Sequence, residues 1–315
     1  MLKKRLALLG ATSHIAKDLV QSLADKSRHE VVLYSRRPDE VSRWIISLGL
    51  ADRYISANFT EFSTDERFDA ILNFVGVGDP AKAAEMGASI FDVTLKYDEL
   101  ALEYLRQRRD CRYIFMSSGA AYGSSFIEPV DEKTNAVIAI NNLQSQDWYS
   151  VAKLHAECRH RSLSPLSIID IRIFNYFSST QDIEAQFFIS DIVRAIRNKT
   201  ILKTSLDHMV RDFIGPEDFY HLIEAILTST PINTVVDCYS KSPIDKLSLL
   251  NEMEVNFGLQ YKILENINPV NATGSKPNYY SLNKRATSLN YNPKYTSLST
   301  INKELKILLK NLKHD

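Results

Sequence analysis

The sequence predicts an α/β fold, a doubly wound parallel sheet with a smaller C-terminal cap, and three observations carry that expectation. Short apolar runs without polar alternation, at 6–9, 31–35, 70–75 and 113–116, have the composition of strands buried on both faces. Helical patterns at 15–24, 38–48 and 91–108 separate them, and such a βαβα rhythm closes with right-handed crossovers into a parallel sheet. Beyond Asn175 the pattern changes to scattered helices and short extended pieces. The sheet domain is therefore expected at 1–175, with 207–240 returning to it and 176–315 forming mainly the cap.

Composition narrows the classes. The chain has 315 residues, 44% hydrophobic and 24% charged, which fits a folded domain and excludes disordered, collagen-like and coiled-coil chains. Lys plus Arg and Asp plus Glu are both 38, so no net field gathers a polyanion, and no nucleic-acid partner is expected. Cys111, Cys158 and Cys238 are widely spaced without a CxxC pair, which offers neither a disulfide framework nor a zinc site. A reducing, cytoplasmic compartment is expected, with Cys158 a small buried filler. No run approaches the ~20 apolar residues of a membrane span, so no membrane partner is expected.

The strand 6–9 ends in Gly10-Ala11-Thr12-Ser13-His14-Ile15-Ala16, which opens the first helix. A dinucleotide pyrophosphate needs a tight turn, a small residue where backbone nears phosphate, and another where helix packs on strand. Gly10, Ser13 and Ala16 occupy those positions; only the first is glycine, so a plain strand-turn-helix stays open. The strand 31–35 ends in Ser35-Arg36-Arg37-Pro38, where an acid would accept from a ribose 2′-hydroxyl and an arginine accommodates a 2′-phosphate. Arg36 and Arg37 favour NADP(H), with NAD(H) possible; two solvated arginines are the alternative. The strand 70–75 runs into Asn73-Phe74-Val75-Gly76-Val77-Gly78, whose closely spaced glycines suit backbone beside a cofactor or a simple loop.

The strand 113–116 delivers Ser117-Ser118-Gly119-Ala120-Ala121-Tyr122-Gly123 to the sheet's C-terminal edge, where such folds bind ligands. The helix 147–160 then sets Tyr149 and Lys153 four apart on one face. A phenol titrates near 10 and is a poor acid or base at neutral pH until a cation stabilises its phenolate, which Lys153 could do. His155 and His160, five apart, do not suit a common metal and are expected to pack. Tyr122 could touch substrate or pack. A strand at 167–174 precedes helices at 183–197, 217–227 and 246–257. The last helix, 300–312, stripes Ile301, Leu305, Leu308, Leu309 and Leu312 opposite Lys303, Lys306, Lys310 and Lys313. Without aromatics, that stripe reads as a docked surface helix rather than a membrane-surface one.

On these residues, with Arg172-Ile173-Phe174-Asn175 and Arg211-Asp212-Phe213-Ile214, the sequence resembles the extended short-chain dehydrogenase/reductase family, in its nucleotide-sugar epimerase, dehydratase and reductase branch. The resemblance covers essentially the whole chain and implies a Rossmann-like sheet domain, a nucleotide-sugar substrate and a homodimer built on the two long helices. It makes Ser118, Tyr149 and Lys153 catalytic, with Tyr149 the general acid/base. The implied cofactor set is Gly10, Thr12, Ser13, His14, Ile15, Arg36, Arg37, Asn73, Gly76, Tyr149 and Lys153. Asn175 and Arg211 would meet the substrate's diphosphate and nucleotide phosphate, Lys276 would be a later basic contact, and no metal is implied. The chain departs from the pattern at Ser13 and Ala16, where the family has glycines, at Gly215-Pro216, and at Asp92, where many relatives carry asparagine.

The reactions need different helpers. Dehydratases of the family use acids beside the catalytic serine position, and Ser118-Gly119-Ala120 has no carboxylate to move a proton. The reading from the residues is an NADPH-dependent reductase of a C4 ketone on a nucleotide sugar, because Arg36 and Arg37 lean toward NADP. A nucleotide-sugar 4-epimerase is the alternative, and a silent NADP-binding sensor a third.

Overall fold

The computed structural model describes residues 3–77, 83, 85–123, 125–264 and 276–312. Gly78 and Lys313, named above, lie outside the described residues.

Seven parallel strands make the central sheet: β1 (Arg5–Leu9), β2 (Glu30–Ser35), β3 (Tyr54–Asn58), β4 (Ala70–Asn73), β5 (Arg112–Ser118), β6 (Ile168–Ile173) and β11 (Thr234–Cys238). Their spatial order is β11-β6-β5-β4-β1-β2-β3, so the winding reverses between β1 and β4. Ligands of such sheets bind at that reversal, outside the carboxyl ends of the strands.

Each strand feeds both faces. From β1, Leu6 and Leu8 enter one core with residues of α1 (His14–Lys26), α2 (Pro38–Ser47) and α6 (Pro216–Thr228). Ala7 and Leu9 enter the other, beneath α3 (Ser89–Gln107) and α4 (Trp148–Ser162). This two-sided burial is why the strands read as unbroken apolar runs. Pro38 at the first turn of α2, with Asp39 and Glu40 beside it, suits a helix start in both backbone geometry and dipole.

A separate core gathers α5 (Phe188–Asn198), α7 (Lys246–Phe257) and α8 (Ser297–Asn311) with β8 (Ile201–Thr204), β10 (Phe213–Ile214), β12 (Ile244–Asp245) and β13 (Gln260–Ile263). The short strands β7 (Asn175–Tyr176), β9 (Val210–Arg211) and β14 (Asn278–Tyr279) lie outside it, with Tyr176 against the first sheet core and Tyr279 beside Phe126 and Phe174. Ile301, Leu305 and Leu308 of α8 are buried in the separate core, and Lys303 bridges to Glu217 at 2.8 Å, so the leucine stripe faces protein. Among the described residues, no helix is long and apolar enough to cross a membrane.

Three expectations need correction. The edge strand β3 escaped the sequence reading because it lacks a two-sided apolar run, with Ile55 62% exposed. Helix α5 begins at Phe188, five residues later than its pattern, because Arg194 donates to the carbonyls of Ile183 and Ala185 and holds that stretch in turns. Cys158 is exposed rather than a buried filler: Lys153, Glu157 and His160 define the inward face of α4, and Cys158 falls outside it. Cys111 and Cys238 are buried.

Candidate active site

The first wall is the turn after β1. Gly10 has φ +86°, and a Cβ there would lie 2.9 Å from the carbonyl carbon of Phe74 and the nitrogen of Val75. Glycine alone fits, because the turn is left-handed and pressed against the end of β4. The amides of Gly10 and Ala11 both donate to the Tyr34 carbonyl, at 2.9 and 3.1 Å, fixing the turn to β2. Ser13 caps α1 without a side-chain hydrogen bond, which leaves the helix's first N–H groups for an anion. Ala16 is fully buried, so alanine meets the helix-on-strand packing that glycine meets elsewhere. Thr12 and Ile15 are half-buried, and Ile15 packs on the core.

His14 turns toward the cap. Its Nε2 lies 2.7 Å from Ser178 Oγ and 3.4 Å from Asp18 Oδ2, with Tyr176 edge-on to the ring. Burial pushes the imidazole down despite Asp18, which favours the neutral ring.

At the end of β2, Arg37 is exposed and paired with Glu40 at 2.8 Å. Arg36 lines a cavity of about 530 Å³ with Asn58, Phe59, Thr60, Lys96 and Tyr97. The two arginines therefore part company, and only Arg36 faces the cavity.

Asn73 is buried and its amide group is committed, donating to Tyr113 Oη at 2.8 Å and accepting from Val75 N at 2.9 Å. Its side chain shapes the chain's exit from β4. Gly76 follows with φ +146°, and a Cβ there would sit 3.4 Å from Lys153 Nζ. Backbone beside the ammonium is the close approach that glycine permits.

The three residues expected to be catalytic lie at the end of β5 and in the first turns of α4. Ser118 closes β5, where its Oγ accepts from Ala120 N at 3.1 Å. The Ser118 hydroxyl favours the Tyr149 phenolate, although burial still holds that phenol above its ordinary value. Lys153 is buried, donates to the Met116 carbonyl at 2.7 Å, and lies 4.5 Å from the Phe115 ring centroid and 5.8 Å from that of Tyr149. Burial drives its ammonium down to about 8, against the charges of Asp98, Glu157 and Asp170. Lys153 was expected to lower Tyr149, yet the protein's own groups leave the phenol raised, because burial of the phenolate outweighs the help it receives.

The second wall carries half-buried positive charge. Arg211 donates to the carbonyls of Val210 and Lys276, at 2.8 and 2.7 Å, and burial lowers it to about 10. Lys276 sits 4.8 Å from the Tyr279 ring centroid and 5.5 Å from that of Phe126. Burial and the repulsion of Arg211 bring it to about 8. Among the described residues, neither cation has a carboxylate within ion-pair distance. Two half-buried, mutually repelling cations of this kind suit an anion. Asn175 donates to the carbonyls of Asp212 and Tyr279, at 3.2 and 3.4 Å, and holds this wall to β7.

Tyr279 was missed in the sequence. Its phenol lies 3.4 Å from Ser118 Oγ, and its ring faces Arg211 and Lys276. The adjacent tyrosines after Lys276-Pro277 were its only signal. Also missed was the ion chain beneath the serine: Ser117 donates to Glu157 at 2.5 Å, and Glu157 pairs with Arg172. Tyr122 packs, donating to Asp237 at 2.9 Å. Among the described residues, no cluster of His, Cys, Asp and Glu is arranged to hold a metal.

Similarities agree with this architecture. The chain matches a UDP-glucuronic acid 4-epimerase from Bacillus cereus, crystallised as a variant with a fluorinated UDP-sugar and NAD, at 17% identity and TM-score 0.77, over 98% of this chain and 99% of that one. It also matches a UDP-glucose 4-epimerase from Stenotrophomonas maltophila at 14% identity and TM-score 0.79, over 99% of both chains. A dTDP-glucose 4,6-dehydratase from Bacillus anthracis matches at 15% identity and TM-score 0.78, over 98% of both chains. At such identities these likenesses establish the fold. No curated protein matches by sequence. The sequence profile of the NAD dependent epimerase/dehydratase family spans residues 6–237, about three quarters of the chain, and the protein belongs to that family.

Proposed function

We propose that the protein is an NAD(P)-dependent nucleotide-sugar 4-epimerase. The observation that carries this reading is that one side chain, Tyr279, joins two groups. Its phenol lies 3.4 Å from Ser118 Oγ, and its ring centroid lies 5.9 Å from the Arg211 guanidinium and 4.8 Å from Lys276 Nζ. A nucleotide sugar has the matching polarity, with a diphosphate for the cations and a ring hydroxyl for Ser118 and Tyr149. The structural neighbours described with UDP-sugars and NAD support the same reading.

The cofactor's place fits the residues present. Gly10 provides a cradle that any Cβ would fill, α1 offers uncapped amides, and Gly76 opens backbone beside Lys153. Thr12, Ser13, His14 and Ile15 would complete the phosphate turn, and Asn73 would shape the strand end. When bound, the nicotinamide supplies reversible hydride exchange at the carbon bearing the sugar hydroxyl. Tyr149 takes and returns the proton of that hydroxyl, Ser118 hydrogen-bonds the same oxygen, and the Lys153 ammonium stabilises the phenolate. Asn175, Arg211 and Lys276 bind the diphosphate end. Gly119 and Ala120 leave no acid beside Ser118 for eliminating water, so a dehydratase is disfavoured.

A reductase of a 4-keto nucleotide sugar is the second reading, favoured by Arg36 in its cavity and by the lack of an acid at the end of β2. Under it NADP(H) replaces NAD(H). In either case α3 and α4 would pair with a second copy, as the resemblance implies. The test is to follow UDP-glucose, UDP-glucuronic acid and their C4 epimers by NMR with catalytic NAD, and 4-keto sugar nucleotides with NADPH by absorbance. Interconversion without reductant is expected. Stoichiometric NADPH loss would install the second reading, and neither result would overturn both.

Lys276 yields a further prediction. A phosphate beside it raises its proton affinity, so binding takes up a proton once the free lysine has begun to deprotonate. UDP affinity should be level below about pH 7.5 and fall as pH rises through 8, by up to about tenfold per unit. In Lys276→Met, calorimetry should find weaker binding and a flat profile. A flat profile in the unaltered protein would remove Lys276 from the site.

A further inference from the structure

The second wall needs something to hold it. Arg211 and Lys276 repel each other and have both lost water, and moving the segment 276–283 outward would relieve both costs. Several bonds tie this segment to other parts of the cleft rim. Asn278 N donates to the Phe126 carbonyl at 2.9 Å, Leu282 N to the Val130 carbonyl at 2.7 Å, and β14 pairs with β9. One long contact, Tyr279 Oη to Ser118 Oγ at 3.4 Å, reaches the end of β5.

Asp237 gives a shorter tie to the central sheet. It is fully buried on β11, next to β6 in the seven-stranded sheet. One carboxylate oxygen, Oδ2, accepts from Ser281 Oγ at 2.6 Å and from Tyr122 Oη at 2.9 Å. Ser281 stands two residues beyond Tyr279, and its hydroxyl also accepts from Asn283 N at 2.9 Å, so one bond to the sheet organises the segment's return. The other oxygen, Oδ1, has no hydrogen bond and lies 3.7 Å from Arg172 Nη1. Arg172 in turn pairs with Glu157, one turn beyond Lys153 on α4, and Glu157 receives the hydroxyl of Ser117. The wall that bears Lys276 and Tyr279 and the strand and helix that bear Ser118 and Lys153 are thus anchored to one buried chain of charges.

We propose that Asp237 is a positioning residue, a latch that seats the segment 276–283 against the catalytic strand through Ser281. A carboxylate suits this because one oxygen can accept from two hydroxyls at once, and its charge is balanced from Arg172 without a direct bond. The consequence for substrate rests on the proposed function; the latch itself does not.

Hydrogen exchange of the full chain tests the latch without any ligand. In Ser281→Ala and in Asp237→Asn, amides of 278–283 should exchange at least tenfold faster, while those of 5–26 at the cofactor turn stay unchanged. Ser281→Thr, which keeps the hydroxyl, should restore slow exchange, and Tyr122→Phe should leave it slow because the Ser281 arm survives. Should Asp237→Asn not fold, the Ser281 pair decides alone. Unchanged exchange in Ser281→Ala, or equal acceleration at 5–26, would overturn the latch. As its consequence, UDP should bind Ser281→Ala at least fivefold more weakly with dinucleotide affinity preserved. Failure of UDP to bind the unaltered protein would count against the proposed function while the exchange result still judged Asp237.

Discussion

Replacing Tyr149 by phenylalanine should cut kcat by on the order of a hundredfold to ten-thousandfold, the range in which a positioned general acid/base acts. Binding of both ligands should change by less than about threefold, since the phenol is the one group removed and the ring still fills its place. The site explains why the loss should fall on kcat. Burial holds the phenol above its ordinary value, so at neutral pH it keeps its proton and needs a neighbouring charge to give it up. Lys153 is that charge while it is protonated. Because burial has lowered it to about 8, kcat at saturating substrate should decline as pH rises through 8. That decline concerns kcat, whereas the Lys276 effect concerns affinity, so kinetics at saturation and calorimetry separate the two lysines. Turnover of Tyr149→Phe within threefold of the unaltered protein would sink the mechanism.

The largest stability effect is expected at His160. The ring is fully buried on α4, with Nδ1 2.6 Å from Asp170 Oδ1 and Nε2 2.7 Å from Asp98 Oδ1, and Tyr113 and Phe115 edge-on to it. Burial alone would strip its proton, but the charges and hydrogen bonds of Asp170 and Asp98 lift it to about 9. His160→Leu leaves two buried carboxylates with Arg161 and Arg159, at 2.8 and 2.7 Å, and the Tyr113 hydroxyl, 3.0 Å from Asp98, to answer them. Breaking a buried pair in this way costs about 3–5 kcal/mol. Melting should fall by on the order of 5–10 °C at pH 7, read by differential scanning fluorimetry. The pH dependence has a definite sign. The folded value lies above the unfolded one, so the stabilisation is complete below about pH 6.5 and is lost as pH rises through 9. The gap between the two proteins should therefore narrow from pH 6 to pH 10. Equal melting at pH 7, or a gap that widens with pH, would refute the ion cluster.

His160 also marks the limit of reading without a structure. Its spacing from His155 argued correctly that the two do not share a metal, and packing was the expectation. Nothing in the local sequence showed that Asp98 and Asp170, 62 and 10 residues away, would meet its two nitrogens. Tyr279 is the same case, since its place beside Ser118 joins residues 161 apart. Arg36 and Arg37 show the converse. Side by side they read as one phosphate clamp, but successive residues after a strand point different ways, and Arg37 pairs with Glu40 instead.

By itself the sequence determined what local chemistry can specify. The parallel sheet followed from apolar runs buried on two faces, the tight turn from Gly10, and the shared face of Tyr149 and Lys153 from the pitch of one helix. Those are properties of neighbours within a few residues, where backbone geometry allows few outcomes. The tertiary structure decided everything that depends on distant segments meeting. It buried Lys153 and Lys276 enough to bring both to about 8, set Arg211 beside Lys276, and put Asp237 under Ser281. Charge in a protein takes its meaning from burial and from what stands opposite, and both are fixed only when the chain has closed on itself.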